Sequence, residues 1–278
     1  MKKILFLTLL LTIPNLNSQA SIDCSSNLSI FAEYYKVKNY DAAYEPWMSV
    51  RKECPKINPA IYFQGSRMLE EFIKNSDGES KIAYQDDLLN LYDEWLINFP
   101  AYNGRSIVGQ IMSNKAQKMI DYKLATKTEI FDLFENAYQT DPASFDDPKP
   151  LYNYFKTYFE LYKLGNSEIT LNQIFNKYEE LSERYNSIID EYSKQIDIII
   201  NKENSGIALT SREKRNKRVY EINSNASNIY LRNLNAIIAK ESTCENLIPL
   251  YKKNLEENKT NPVSVSYTHL TLPTILRV

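Results

Sequence analysis

The stretch EYYKVKNYDAAYEPWMSVRKECP, residues 33–55, decides the fold. Ala43, Trp47 and Val50 stand four and three apart, which is the period of a helix face and not of a strand. Outward from there, the pattern predicts two helices, over residues 27–38 and 41–53. Pro46 falls inside the second, where it removes a backbone hydrogen bond and should bend the helix.

The same period continues along the chain, punctuated by proline and glycine at the turns. A second helix pair is expected over 58–75 and 80–98, split by Ser76-Asp77-Gly78. A third is expected over 107–123 and 127–139. A fourth pair opens at Pro150, with Tyr154, Tyr158 and Tyr162 on one face, and turns at Leu164-Gly165-Asn166. The next two helices are longer. Residues 170–203 carry Ile174, Tyr178, Leu181, Tyr185, Ile188, Tyr192, Gln195 and Ile199 in heptad-like steps of four and three. Residues 210–240 carry Val219, Ile222, Ala226, Ile229, Leu234 and Ile237. We read these two as an antiparallel helical hairpin, each helix covering the other's stripe. Two ordinary repeats joined across an unrecognised turn are the alternative.

The residues of 33–55 resemble one tetratricopeptide (TPR) repeat. In that resemblance Tyr34 is the aromatic of the first helix, Tyr40 precedes the turn and Ala43 is the small residue where two helices touch. Trp47, Val50 and Pro55 close the second helix. The run IFDLFENAYQTDP, residues 130–142, is similar to the closing helix of such a repeat. The resemblance is weaker over the other pairs and fails over the long hairpin. It implies an all-α, right-handed TPR-like solenoid whose work is to hold other molecules, with no cofactor. It also implies a concave surface lined by first-helix residues, for which Tyr34, Tyr35, Tyr62, Tyr152, Tyr154 and Tyr158 are the candidates, with packing between helices the expectation for most of them. Tyrosine gives broad contact with a polar tip at low entropic cost. Trp47 and Trp95, near the ends of second helices, are expected in the core.

The two ends read differently. Lys2, Lys3, the apolar run 4–13, Pro14 and Ser18-Gln19-Ala20 have the layout of an export signal cleaved near Ala20. The apolar run is about half the ~20 residues a membrane span needs, so no span is expected after cleavage. Lipidation at Cys24 fits poorly, because Asp23 occupies a site that wants a small uncharged residue. At the other end VSYTHLTLPT, residues 265–274, resembles a translated sequencing-library adapter, so the native chain is expected to be cut near Ser264. The expected organisation is a signal peptide over 1–20, TPR-like pairs over 21–165 and the hairpin over 166–241. The start of a further repeat would occupy 242–264 and an artefactual tail 265–278.

Charge is nearly balanced, 33 basic against 35 acidic residues, which argues against general nucleic-acid binding. The single histidine, His269, lies in the adapter-like tail, which excludes histidine-based triads and zinc sites from the rest. Six glycines form no phosphate-cradling loop. The carboxylate pairs Asp86/Asp87, Asp146/Asp147 and Glu179/Glu180 read as solvent-facing charges rather than acid–base machinery. No catalytic, metal or cofactor site is expected. Three cysteines in an exported chain leave one over. A helical hairpin brings Cys24 and Cys54 to one end, so these are expected to pair, with Cys244 bonded to a residue beyond the cut. Three buried free thiols are the alternative.

One concentrated charge run remains, SREKRNKRVY at residues 211–220, with Arg212, Arg215 and Arg218 stepping by three. It reads either as a patch for an acidic partner, a lipid head group or an anionic polymer, or as a solvated face answering Glu179, Glu180 and Glu183 across the hairpin. The function expected is a non-enzymatic periplasmic scaffold binding a protein or peptide partner in the cell envelope. The alternative is a module that stacks glycan or peptidoglycan fragments on a tyrosine-rich groove. A hydrolase built on a carboxylate pair ranks third.

Overall fold

Most helices described in this chain begin where the sequence supplies a cap. In the computed structural model, which describes residues 23–165, 168–243, 245, 246 and 248, Asp23 accepts hydrogen bonds from the backbone of Ser25 and Ser26 and starts α1 (Cys24–Lys36). Asn39 caps α2 (Tyr40–Glu53) through the Ala42 amide. Capping boxes open α6 (Lys127–Thr140), α8 (Leu171–Asn204) and α9 (Ser211–Ala239), from Thr126/Glu129, Thr170/Gln173 and Thr210/Glu213. Each box satisfies two amides that the first turn otherwise leaves unpaired. The remaining helices are α3 (Ala60–Asn75), α4 (Gly78–Asn98), α5 (Val108–Tyr122) and α7 (Pro148–Lys163). The chain is all-α, as the period of its apolar residues predicts. The helix boundaries fall within about three residues of those read from the sequence.

One element was not anticipated. Ala101–Tyr102 and Arg105–Ser106 form β1 and β2, a two-residue-per-strand antiparallel hairpin. Asn103 and Gly104 turn it with φ of 50° and 75°. Asn-Gly between short extended segments is the signature of a tight hairpin turn, and that signal stood in the sequence.

The molecule divides at Met68/Leu69 into two compact units. In the first, α1 packs on α2, and Cys24 and Cys54 form a disulfide across 30 residues with their Cα atoms 6.2 Å apart. Phe31, Ala43, Trp47 and Val50 are fully buried with Ile61, Tyr62 and Met68. The Trp47 indole donates to the Ile61 carbonyl at 2.8 Å. Its ring lies so close to Gly65 that a Cβ there would sit 2.6 Å away. α2 runs on through Pro46 to Glu53. Tyr40 opens α2, so the turn of Val37 to Asn39 comes before it, not after.

In the second unit each helix from α4 onward packs on the next, and α5 on α7 and α7 on α9 as well. Its core gathers Phe134, Ala137 and Tyr138 of α6 with Leu151, Tyr154 and Phe155 of α7 and Ile174, Leu181 and Tyr185 of α8. Leu234 and Ile238 of α9 complete it. At the start of α5, Gly109 lies against the end of α6. A Cβ on it would fall 2.2 Å from the Asp141 carbonyl oxygen and 3.1 Å from the Phe145 amide. The Asp141 carboxylate accepts from Ser106 Oγ at 2.6 Å, Ser144 Oγ at 2.5 Å and the Gly109 amide at 3.4 Å. Burial pushes its carboxyl up, but these bonds hold it below the ordinary range overall.

α8 and α9 are uninterrupted, 34 and 29 residues long, so the long hairpin is real and the missed-turn alternative falls. Gly206, at φ 75°, sits in the connecting turn. Among the described residues, no helix is long and apolar enough to cross a membrane. The expected export signal, the Cys244 pairing and the adapter-like tail lie outside the described residues.

Candidate functional site

The tyrosines proposed as a lining are, in the main, core. Tyr62 and Tyr154 are fully buried and Tyr158 is 8% exposed. The Tyr62 hydroxyl donates to the Pro55 carbonyl and the Tyr154 hydroxyl to the Glu135 carboxylate. Their rings fill space between helices, because a large ring on a helix face gains most when neighbouring helices close over it. Tyr158 stacks on Phe131 at 4.9 Å. Half-buried Tyr152 packs against Tyr230 at 5.5 Å, and half-buried Tyr35 lies between Phe31 and Tyr40. Tyr34 alone of the six is open, at 40%. Tyr62, Tyr154 and Tyr158 are therefore removed as lining candidates and take the packing role expected for most of the six. Trp47 is core as expected, while Trp95 is half-buried against Tyr92.

The carboxylate pairs divide. Glu180 is tied to Lys177 at 2.9 Å; the Lys177 ammonium also lies over the rings of Tyr138 and Tyr154. Asp146 and Asp147 are not on an open loop but half-buried. Burial is the main cause that pushes both carboxyls above the ordinary range, with Arg184 opposing it for Asp146 and the Lys149 amide opposing it for Asp147. Asp147 accepts from that amide as the cap of α7. Among the described residues no group of three metal-ligating side chains converges.

The long hairpin is where the surface is unusual. Four contacts fix its register: Tyr178 to Asn235, Tyr192 to Asn223, Lys202 to Glu213 and Glu203 to Lys217. Glu179, Glu180 and Glu183 therefore stand level with residues near 230–235. They lie roughly 28–35 Å along the axis from the level of Lys202 and Arg212, at 1.5 Å per residue. They do not answer the basic run, and that reading is corrected. Among the described residues Arg212, Lys214, Arg215 and Arg218 are exposed and make no ion pair, whereas Lys202 and Lys217 are paired at 2.5 and 3.0 Å. Glu213 is taken up by Lys202 and then by Thr210, which together pull its carboxyl down to about 2.

The stripe on α9 is corrected in part: Leu234 is buried and Ala226 and Ile237 are half-buried, but Val219, Ile222 and Ile229 are not. The covered face of α9, which packs on α8 and α7, includes Glu213, Lys217, Tyr220, Ser224, Ser227, Leu231, Leu234 and Ile238, in regular steps of four and three, and each is buried or half-buried. Val219, Ile222 and Ile229, read from the sequence as covering α8, are 46%, 55% and 48% exposed. They belong to a second seam with the same alternation: Arg212, Arg215, Val219, Ile222, Ala226, Ile229. The signal was present as the step of five between Ile229 and Leu234, which breaks the 3–4 alternation and marks a change of face.

The core cluster reaches Tyr192 on α8 and Tyr230 on α9. From there toward the turn, Ile199 is the one buried apolar side chain among the described residues. Half-buried Ile196, Ile200, Leu209 and Ala226 add to it, with the Tyr192–Tyr220 ring contact, the Asn223–Tyr192 hydrogen bond and the two ion pairs. At that level α8 also leaves Ile198 62% exposed. The distal hairpin is thus a two-helix arm with little core of its own and an uncovered seam, apolar in the middle and basic at the turn end. Comparison with family models, characterised proteins and solved structures finds no match for this chain.

Proposed function

We propose that this chain is a non-enzymatic scaffold of TPR-like, right-handed solenoid build that holds a protein or peptide partner, and that it works in the periplasm after export. The TPR-like reading draws on the residues of 33–55 and 130–142. It also draws on the packing of alternate helices in the second unit, α5 on α7 and α7 on α9, as stacked helix pairs require. The single observation that carries the binding reading is the second seam of α9, left largely uncovered on an arm with little core of its own. Long helices hold their shape mainly through tertiary packing of an apolar face. An arm with one buried isoleucine in its distal half gains stability from whatever covers it. The glycan alternative loses support, since Tyr62, Tyr154 and Tyr158 are enclosed.

The test is a photo-crosslinking amino acid placed at Ile222 and, as a control on the same unit, at Ile97, which is 74% exposed on α4. In the intact envelope the Ile222 probe should give one discrete adduct that the Ile97 probe does not. Equal adduct patterns at the two positions would remove the binding reading.

A further inference from the structure

The uncovered seam states what kind of partner fits it. We infer that the distal half of α9 docks a single amphipathic helix with an apolar heptad stripe and a cluster of acidic residues at one end, making a local three-helix coiled coil with α8 and α9. This rests on the scaffold reading and names the partner that scaffold holds.

The spacing sets the first requirement. Residues 212, 215, 219, 222, 226 and 229 step 3, 4, 3, 4, 3, which is the a/d repeat by which one helix packs along another. α9 already spends one such seam on α8, so a second seam on the same helix calls for a second neighbour. Val219, Ile222 and Ile229 are about half exposed, leaving them to be covered on one side only.

Charge sets the second. Arg212 and Arg215 end the seam, with Arg218 and Lys214 beside them, and none is paired among the described residues. The same seam on a second copy of α9 does not answer them. Parallel pairing sets arginine against arginine. Antiparallel pairing brings them beside residues 225–233, NASNIYLRN, which contain no acid. The partner helix supplies the acids that this seam lacks. Arginine favours carboxylates through its planar fork of donors, and desolvation beside Val219 strengthens such a pair.

The probe is a capped synthetic peptide of about three heptads with leucine at a and d and glutamates in one terminal heptad. It is made with the acidic heptad at either end, beside matched peptides carrying lysine there. Binding to the full chain is read by fluorescence anisotropy. One glutamate peptide should bind at least about tenfold more tightly than its lysine counterpart, and weaken as salt rises. Arg212→Glu with Arg215→Glu should reverse that preference. Both changes are at exposed positions near the start of α9, Arg212 in its first turn and Arg215 in its second, where negative charge does not oppose the helix, and circular dichroism verifies that the fold is kept. Ile222→Asp should abolish binding of either peptide.

Equal binding of glutamate and lysine peptides, or no reversal in the charge-swapped chain, overturns the inference while leaving the Ile222 adduct, and with it the scaffold reading, intact. Two other results overturn it by naming another occupant. One is a concentration-dependent dimer in sedimentation that Ile222→Asp dissolves. The other is a crosslink from position 222 to a peptide within residues 249–278 of the same molecule.

Discussion

Leu234 and Ile222 stand on one helix, and both belong to the stripe that the sequence alone assigns to the face meeting α8. The structure separates them: Leu234 is fully buried and Ile222 is 55% exposed. Truncating each to alanine turns that difference into free energy. Leu234→Ala removes three buried carbons, about 2.4 kcal/mol at 0.8 kcal/mol each. The cavity left among the α7, α8 and α9 side chains raises the cost to about 3–4 kcal/mol. Ile222→Ala removes the same number of carbons from a position that is half solvated, a loss near 1 kcal/mol at most. Alanine's better helix propensity returns about 0.4 kcal/mol of it. The gap is therefore about 2–3 kcal/mol. Urea titration followed by far-UV circular dichroism should show it as a shift in midpoint at constant slope. For a unit of this size the corresponding difference in Tm is roughly 5–10 °C. Equal losses for the two variants would mean that Ile222 is covered in the free chain, and the second seam would not exist.

Three further outcomes rest on particular contacts. Gly109→Ala should destabilise by about 2–3 kcal/mol, since the new Cβ meets the backbone of Asp141 and Phe145 and overpacking outweighs the gain in helix propensity; a melt matching the parent would reject the tight α5–α6 approach. Cys24→Ser with Cys54→Ser should cost the first unit roughly 3–4 kcal/mol from the loop entropy of about 30 residues, read as earlier proteolysis near α1, and thiol labelling of both cysteines in the untreated protein would reject the bond. Asp146→Asn should raise Tm at pH 7 and reduce the gain the parent shows on moving from pH 7 to 5. The sign comes from burial holding the folded carboxyl above its unfolded value: the folded state binds that proton more readily, so its contribution is full below the unfolded pKa and lost as pH rises through the folded one. A larger pH gain in Asp146→Asn than in the parent would contradict it.

The amino-acid sequence by itself determined what is local. The 3–4 spacing of apolar residues, the capping threonines at 126, 170 and 210, and the glycines at the turns predict nearly every helix and its ends. Those features act within one or two turns of backbone. Asn103-Gly104 is an equally local signal, and the small hairpin it turns was legible without the fold. The position of Cys54 relative to Cys24 was legible for the same reason, since two paired helices must return to their starting end. Only the tertiary structure decided which face of a helix is covered. Tyr154 and Tyr34 are the same residue type on first helices of the chain, and one is enclosed while the other is open. On α9 two seams compete for cover, and α7 and α8 bury the seam holding Ser227 and Leu234, not the one richer in isoleucine. Apolar burial is non-directional and goes to whichever surface the neighbouring helices bring near, so coverage is set by register and by α7 and α8 together. The uncovered seam and its unpaired arginines result from that choice, and no window of sequence contains it.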